Sequence, residues 1–220
     1  PQGNNGGLSV LDGLRIANSG QPLVIPPEGV EDAIRTYFGT LDLGNNDLII
    51  RNGNLAEIED MIRAGRTVNF TWDGKGLTSS EASTGIYAGS VGLGVIKNDY
   101  GDGTPVWEEW GGVPVGINDI LVKFTWYGDA NLDGQVEGFD FALQAAGYTG
   151  DGSGWLFGDL DLSGGPIGGF DFALMGAGFT GSRVPGDPTF QQSLSLPEPG
   201  VLGLLAVGSL GLLRRRRELR

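Results

Sequence analysis

The sequence predicts a mixed, β-rich N-terminal region with one or two short helices, then a small α-helical pair of loop–helix units, then a C-terminal hydrophobic helix. Three observations carry this expectation. Glycine takes 41 of 220 positions while apolar residues make up 40%, a balance that favours turns and strands around a real core. An acidic loop followed by a short apolar segment occurs twice in the second half. The chain closes on an uncharged stretch, Gly200 to Leu213, followed by four arginines.

In chain order, residues 1–127 form the β-rich region, read as the C-terminal part of a larger passenger domain because the chain opens at Pro1 with no charged, apolar leader. A short amphipathic helix is expected around Val30 to Tyr37. "GTLDLGNNDLII" (39–50) places two apolar runs around Asn45-Asn46, which predicts a hairpin. "NLAEIEDMIRAG" (54–65) predicts a helix with Asn54 as cap, Glu57 completing a capping box, and Gly65 ending it. Leu55, Ile58, Met61 and Ile62 then share one face. Val68, Phe70 and Trp72 alternate with polar residues and predict a strand, as do Ile120, Val122, Phe124 and Trp126.

Residues 128–182 hold the repeat. "GFDFALQAAGYTG" (138–150) returns as "GFDFALMGAGFTG" (169–181), identical at ten of 13 positions and offset by 31. Residues 183–196 read as a linker, and 197–220 as a tail.

Charge and missing residue types exclude many functions. The net charge is −13, and without the last seven positions, which hold five of the 14 basic residues, it is −17. Such a chain repels phosphates, so nucleic acid is not an expected partner. With no cysteine and no histidine there are no disulfides, thiolate metal sites, catalytic triads or histidine acid–base groups. No catalytic residue is assigned. Glu108 and Glu109 in "VWEEWGG" (106–112) lie side by side in a strand, so they point to opposite faces and cannot act as a carboxylate pair. "WDGKGLTSS" (72–80) reads as a turn rather than a Ser-Lys nucleophile site.

What remains is oxygen-donor chemistry for a hard cation. Calcium takes six to eight oxygens, and one loop can wrap it if carboxylates recur at alternate positions. In "GDANLDGQVEGFD" (128–140), Asp129, Asn131 and Asp133 fill loop positions 1, 3 and 5. Gly134 makes the sharp turn, Gln135 offers a backbone carbonyl, and Asp140 stands at position 12. The second loop has Asp159, Asp161 and Ser163 at the same places, but its "SGGPI" is one residue longer, so Asp171 falls at position 13. With a serine hydroxyl instead of a carboxylate at position 5, it is expected to bind more weakly.

These loops, each leading into F-D-F-A-L, resemble the type I dockerin family over about Gly128 to Gly181. The resemblance implies calcium as the cofactor and docking to a cohesin-like or other surface protein. At loop positions 10 and 11, where that family commonly carries hydroxyl residues facing cohesin, this chain has Gly138 and Phe139, repeated as Gly169 and Phe170. The order Pro197-Glu198-Pro199, apolar stretch, Arg214, Arg215, Arg216 and Arg217 resembles a PEP-CTERM sorting signal. It implies export, transient membrane insertion of the tail, processing by an exosortase-type enzyme, and residence at the cell surface or in the extracellular matrix. Fourteen residues as a helix reach about 21 Å, short of a ~30 Å hydrocarbon core, which suits a temporary anchor. Together with "NDILVKFTWYGDANLDG" (118–134), these motifs are similar to those of planctomycete-type exported surface proteins. The function expected is therefore non-catalytic calcium binding and attachment. The alternatives are the C-terminal part of a secreted polysaccharide-degrading enzyme with its catalytic domain upstream, or an adhesin that binds glycans through Trp107 and Trp110.

Overall fold

The structure, a computed structural model, describes residues 7–16, 37–84, 87–150 and 154–179. These all fall in one compact unit, Pro1–Pro185; a second unit, Gly186–Arg220, lies outside the described residues.

The core is a mixed four-stranded sheet of β1 (Leu8–Leu11), β3 (Asp47–Ile50), β8 (Ile120–Trp126) and β5 (Val91–Lys97), in the spatial order β1-β3-β8-β5. β1 and β3 run parallel, with Leu8 opposite Asp47, while β8 is antiparallel to both β3 and β5. Strand β8 forms as its alternation predicts, but both of its faces are covered: Leu121, Lys123 and Thr125 are as buried as Ile120, Val122 and Trp126. Two small ladders flank the sheet. One pairs β2 (Thr40–Asp42) with β4 (Gly76–Thr78) in parallel, and the other pairs β6 (Glu109–Trp110) with β7 (Val113–Pro114). Helix α1 (Leu55–Arg66) packs against β4 and β5, and the short α2 (Ser80–Thr84) lies on β5. Helices α3 (Gly138–Thr149) and α4 (Gly169–Gly178) follow the two acidic loops, with a 3-10 turn, Trp155–Phe157, between them.

Among the described residues the fold class is thus mixed α/β with four α-helices. It is not a β-rich region joined to a separate small α-helical pair. The reason is packing: helix α1 and the 3-10 turn of the repeat both contact β5. A Cβ added at Gly94 of β5 would lie 2.5 Å from Leu132 of the first loop and 2.9 Å from Trp155 of the 3-10 turn. The expected C-terminal helix lies outside the described residues, and no helix among the described residues is long and apolar enough to cross a membrane. The expected helix around Val30 also lies outside them, apart from Tyr37.

Three local expectations are corrected. β2 and β3 do not form a hairpin, because each finds a parallel partner elsewhere in the chain. Asn54 precedes α1 but makes no side-chain cap, and α1 runs through Gly65 to Arg66. Gly65 is needed for contact, since a Cβ there would sit 2.1 Å from the Leu77 carbonyl oxygen of β4. Residues 67–70 form a turn, not a strand. Phe70 and Trp72 take left-handed backbone (φ +58° and +57°), and the Trp72 N–H closes back on the Arg66 carbonyl at 3.0 Å. That fold-back sets the Arg66 guanidinium 4.0 Å over the Phe70 ring.

Candidate metal centre

Strand β8 delivers the first loop directly, since only Tyr127 and Gly128 separate Trp126 from Asp129. Both loops then follow the same backbone course. Gly128, Leu132 and Gly134 have φ of +100°, +62° and +95°; Gly158, Leu162 and Gly164, each 30 residues later, have +92°, +53° and +72°. Leucine pays a steric cost in this region. Its burial offsets that cost, with Leu132 wholly buried and Leu162 nearly so.

The hydrogen bonds repeat too. Asp140 Oδ1 accepts from the Ala130 and Asn131 N–H groups at 2.9 and 3.4 Å, and its Oδ2 accepts from Glu137 N–H at 2.8 Å. Asp171 Oδ1 accepts from Leu160 and Asp161 at 2.9 and 3.4 Å, and its Oδ2 from Gly168 at 2.9 Å. The position-1 carboxylates match as well, with Gly134 N–H donating to Asp129 Oδ2 and Gly164 N–H to Asp159 Oδ2, both at 2.8 Å. The extra residue of the second loop is therefore absorbed after Gly164, and Asp171 reaches the place that Asp140 holds in the first.

The two loops differ in what they gather. Asp159, Asp161 and Asp171 bring one oxygen each to within 4.8 Å of one another, the cluster of three carboxylates found among the described residues. Ser163 N–H donates to both Asp159 Oδ1 and Asp161 Oδ1 at 2.9 Å. In the first loop, Asn131 replaces one acid. Its Oδ1 accepts from Asp133 N–H at 2.9 Å, its Nδ2 donates to Asp133 Oδ2 at 3.2 Å, and Gln135 N–H donates to Asp133 Oδ1 at 2.8 Å. Asp129 is wholly buried, and its Oδ1 has no hydrogen-bond partner.

Burial dominates the electrostatics. It drives the Asp129 carboxyl well above its ordinary range, with Asp133 and Asp140 adding to the rise. Burial also lifts Asp140 to about 6 against three backbone N–H donors. Asp159 rises to about 7 through burial and then its neighbour Asp161, and Asp171 rises for similar reasons. Crowded, desolvated carboxylates of this kind are what a divalent cation relieves. The donor set is all oxygen, which suits calcium or magnesium rather than softer metals.

Compared with protein-family models, curated proteins and solved structures, the chain matches none of them. The reading of the site therefore stands on its geometry.

Several residues around the loops were not linked to them by sequence. The Trp155 indole donates to the Asp129 carbonyl at 2.6 Å, and the Trp107 indole donates to the Asn131 carbonyl at 2.9 Å. Arg63 of α1 donates to the Leu162 carbonyl at 3.1 Å, and the Thr125 hydroxyl donates to Asp129 Oδ2. Glu59 of α1 lies near enough to Asp159 to feel its charge, and burial followed by that charge lifts it to about 7. Nothing in the local sequence links α1 to the second loop. For Trp155, an indole four residues before Asp159 was the available signal. Trp107 and Trp110 do not form a sugar platform: Trp110 is 1% exposed, meets Trp107 edge-on at 5.7 Å, and has the Lys123 ammonium 5.2 Å from its ring centre. Pro197, Glu198, Pro199 and Arg214 to Arg217 lie outside the described residues.

Proposed function

We propose that the chain is a non-catalytic, calcium-binding part of an exported surface protein. Asp129, Asn131, Asp133, Asp140 and the Gln135 carbonyl would hold one ion. Asp159, Asp161, Ser163 and Asp171 would hold a second. The observation that carries this reading is Asp129 Oδ1, a carboxylate oxygen sealed from water with no donor beside it, in a loop whose other carboxylate groups are tied by backbone N–H groups. An unpaired buried acceptor is costly, and a coordinated cation is the partner its surroundings suit. Support for the surface setting comes from the Pro-Glu-Pro tail with its arginines. Attachment to a cohesin-like or other surface protein would use exposed phenylalanines of α3 and α4, among Phe139, Phe141, Phe170 and Phe172.

Calorimetric titration of calcium into the metal-stripped chain tests the proposal. Two binding events are expected, with Asp129→Asn removing one and Asp159→Asn the other. No heat and no calcium-dependent rise in melting temperature up to millimolar calcium would end it.

A further inference from the structure

We propose that Thr125, on the central strand β8, is a positioning residue for the first loop: it orients the Asp129 carboxylate toward the ion and ties occupancy of the loop to the sheet. This rests on the calcium reading above. Thr125 is fully buried and lies opposite Gly92 of β5 in the β8–β5 ladder. Its hydroxyl and the Gly134 N–H both donate to Asp129 Oδ2. With one oxygen held from two sides, the other, Oδ1, is left without a protein partner.

The second repeat gives an internal comparison. The residue four places before Asp159 is Trp155, not a hydroxyl residue, and its indole crosses over to donate to the Asp129 carbonyl. Both residues four places before a loop thus act on Asp129, one on its side chain and one on its backbone. Asp159 has no such hold: its Oδ1 and Oδ2 are met by Ser163 and Gly164 of its own loop. Groups that orient a ligand without touching the ion typically change metal affinity by about 10–100-fold.

The test compares wild type, Thr125→Val and Thr125→Ser as full chains, by calcium calorimetry, melting with chelator present, and amide hydrogen exchange of β8 and β5 with and without calcium. Thr125→Val is expected to weaken one binding event by about 10–100-fold. The other event and the metal-free melting temperature should stay as in wild type, and the calcium-dependent protection of β8 should be lost. Thr125→Ser, which keeps the hydroxyl, should restore both the weakened event and the protection. If wild type binds calcium and Thr125→Val binds equally well, the positioning role is wrong while the calcium reading stands. If Thr125→Val weakens both events and lowers the metal-free melting temperature together, Thr125 is a structural residue only. If wild type binds no calcium, both ideas fall.

Discussion

Gly178, at the end of α4, rests on the turn between β8 and the first loop: a Cβ there would lie 1.8 Å from the Tyr127 carbonyl oxygen. Gly147 of α3 makes the equivalent approach to the Phe157 carbonyl, with 2.0 Å to a Cβ. Each repeat's helix thus ends against the entry to the other repeat's loop, and no side chain fits at either point. Gly178→Ala is expected to cost about 3 kcal/mol or more of stability, because the obstacle is backbone and cannot swing aside. Denaturant unfolding in saturating calcium measures it. Lys123 and Asp47 are a second tight point. The pair is buried on adjacent strands with Nζ 3.4 Å from Oδ2, and burial pushes the Asp47 carboxyl up against the pull of Lys123. Lys123 stands within an apolar stretch and Asp47 at the start of one, and their mutual pairing is invisible until the strands are side by side.

Among the elements, the acidic loops set the pH response. In the metal-free chain, Asp140 at about 6 and Asp159 at about 7 bind protons more tightly when folded than when unfolded. For a carboxylate raised in this way, the stabilising contribution is full below the ordinary value of 3.8 and is lost as pH climbs through the folded-state value. Metal-free melting temperature should therefore fall between about pH 4 and 7.5, by roughly 5–10 °C. Saturating calcium, which binds the ionised form, should flatten that slope. Calorimetric melts in chelator and in calcium across this range check it. Asp42, Asp99, Asp102 and Asp119, whose carboxyls are held below their ordinary range, act with the opposite sign and at lower pH. The first six positions of each loop were legible from alternate oxygen donors and a glycine, since that geometry is local. The one-residue insertion before Asp171 was not, because its absorption depends on how the chain between Gly164 and Gly168 lies against its surroundings.

At the scale of the molecule, loops and sheet share one core. Trp155 and Leu132 pack on Gly94 of β5, Arg63 of α1 holds the second loop, and β8 runs straight into the first. Calcium should then stabilise the described unit as a whole. At about 100 times its dissociation constant an ion adds about 2.7 kcal/mol per site, enough to raise melting by several degrees. Far-UV and near-UV circular dichroism should report one coincident transition that moves with calcium. Two separable transitions, with only the helical one moving, would show that the repeat unfolds independently of the sheet.

The sequence by itself determined the repeat, the donor type of each loop, helix α1, strand β8 and the exclusion of histidine and cysteine chemistry, because each is written in residue identity and spacing along the chain. Tertiary structure alone decided that β3 pairs in parallel with β1, that residues 67–72 turn back instead of extending, and that Trp107, Trp155, Arg63 and Thr125 close around the loops. Those outcomes join residues far apart in the chain, such as Arg63 and Leu162. They are selected by which buried donors and apolar faces can be satisfied together, a condition that no local pattern contains.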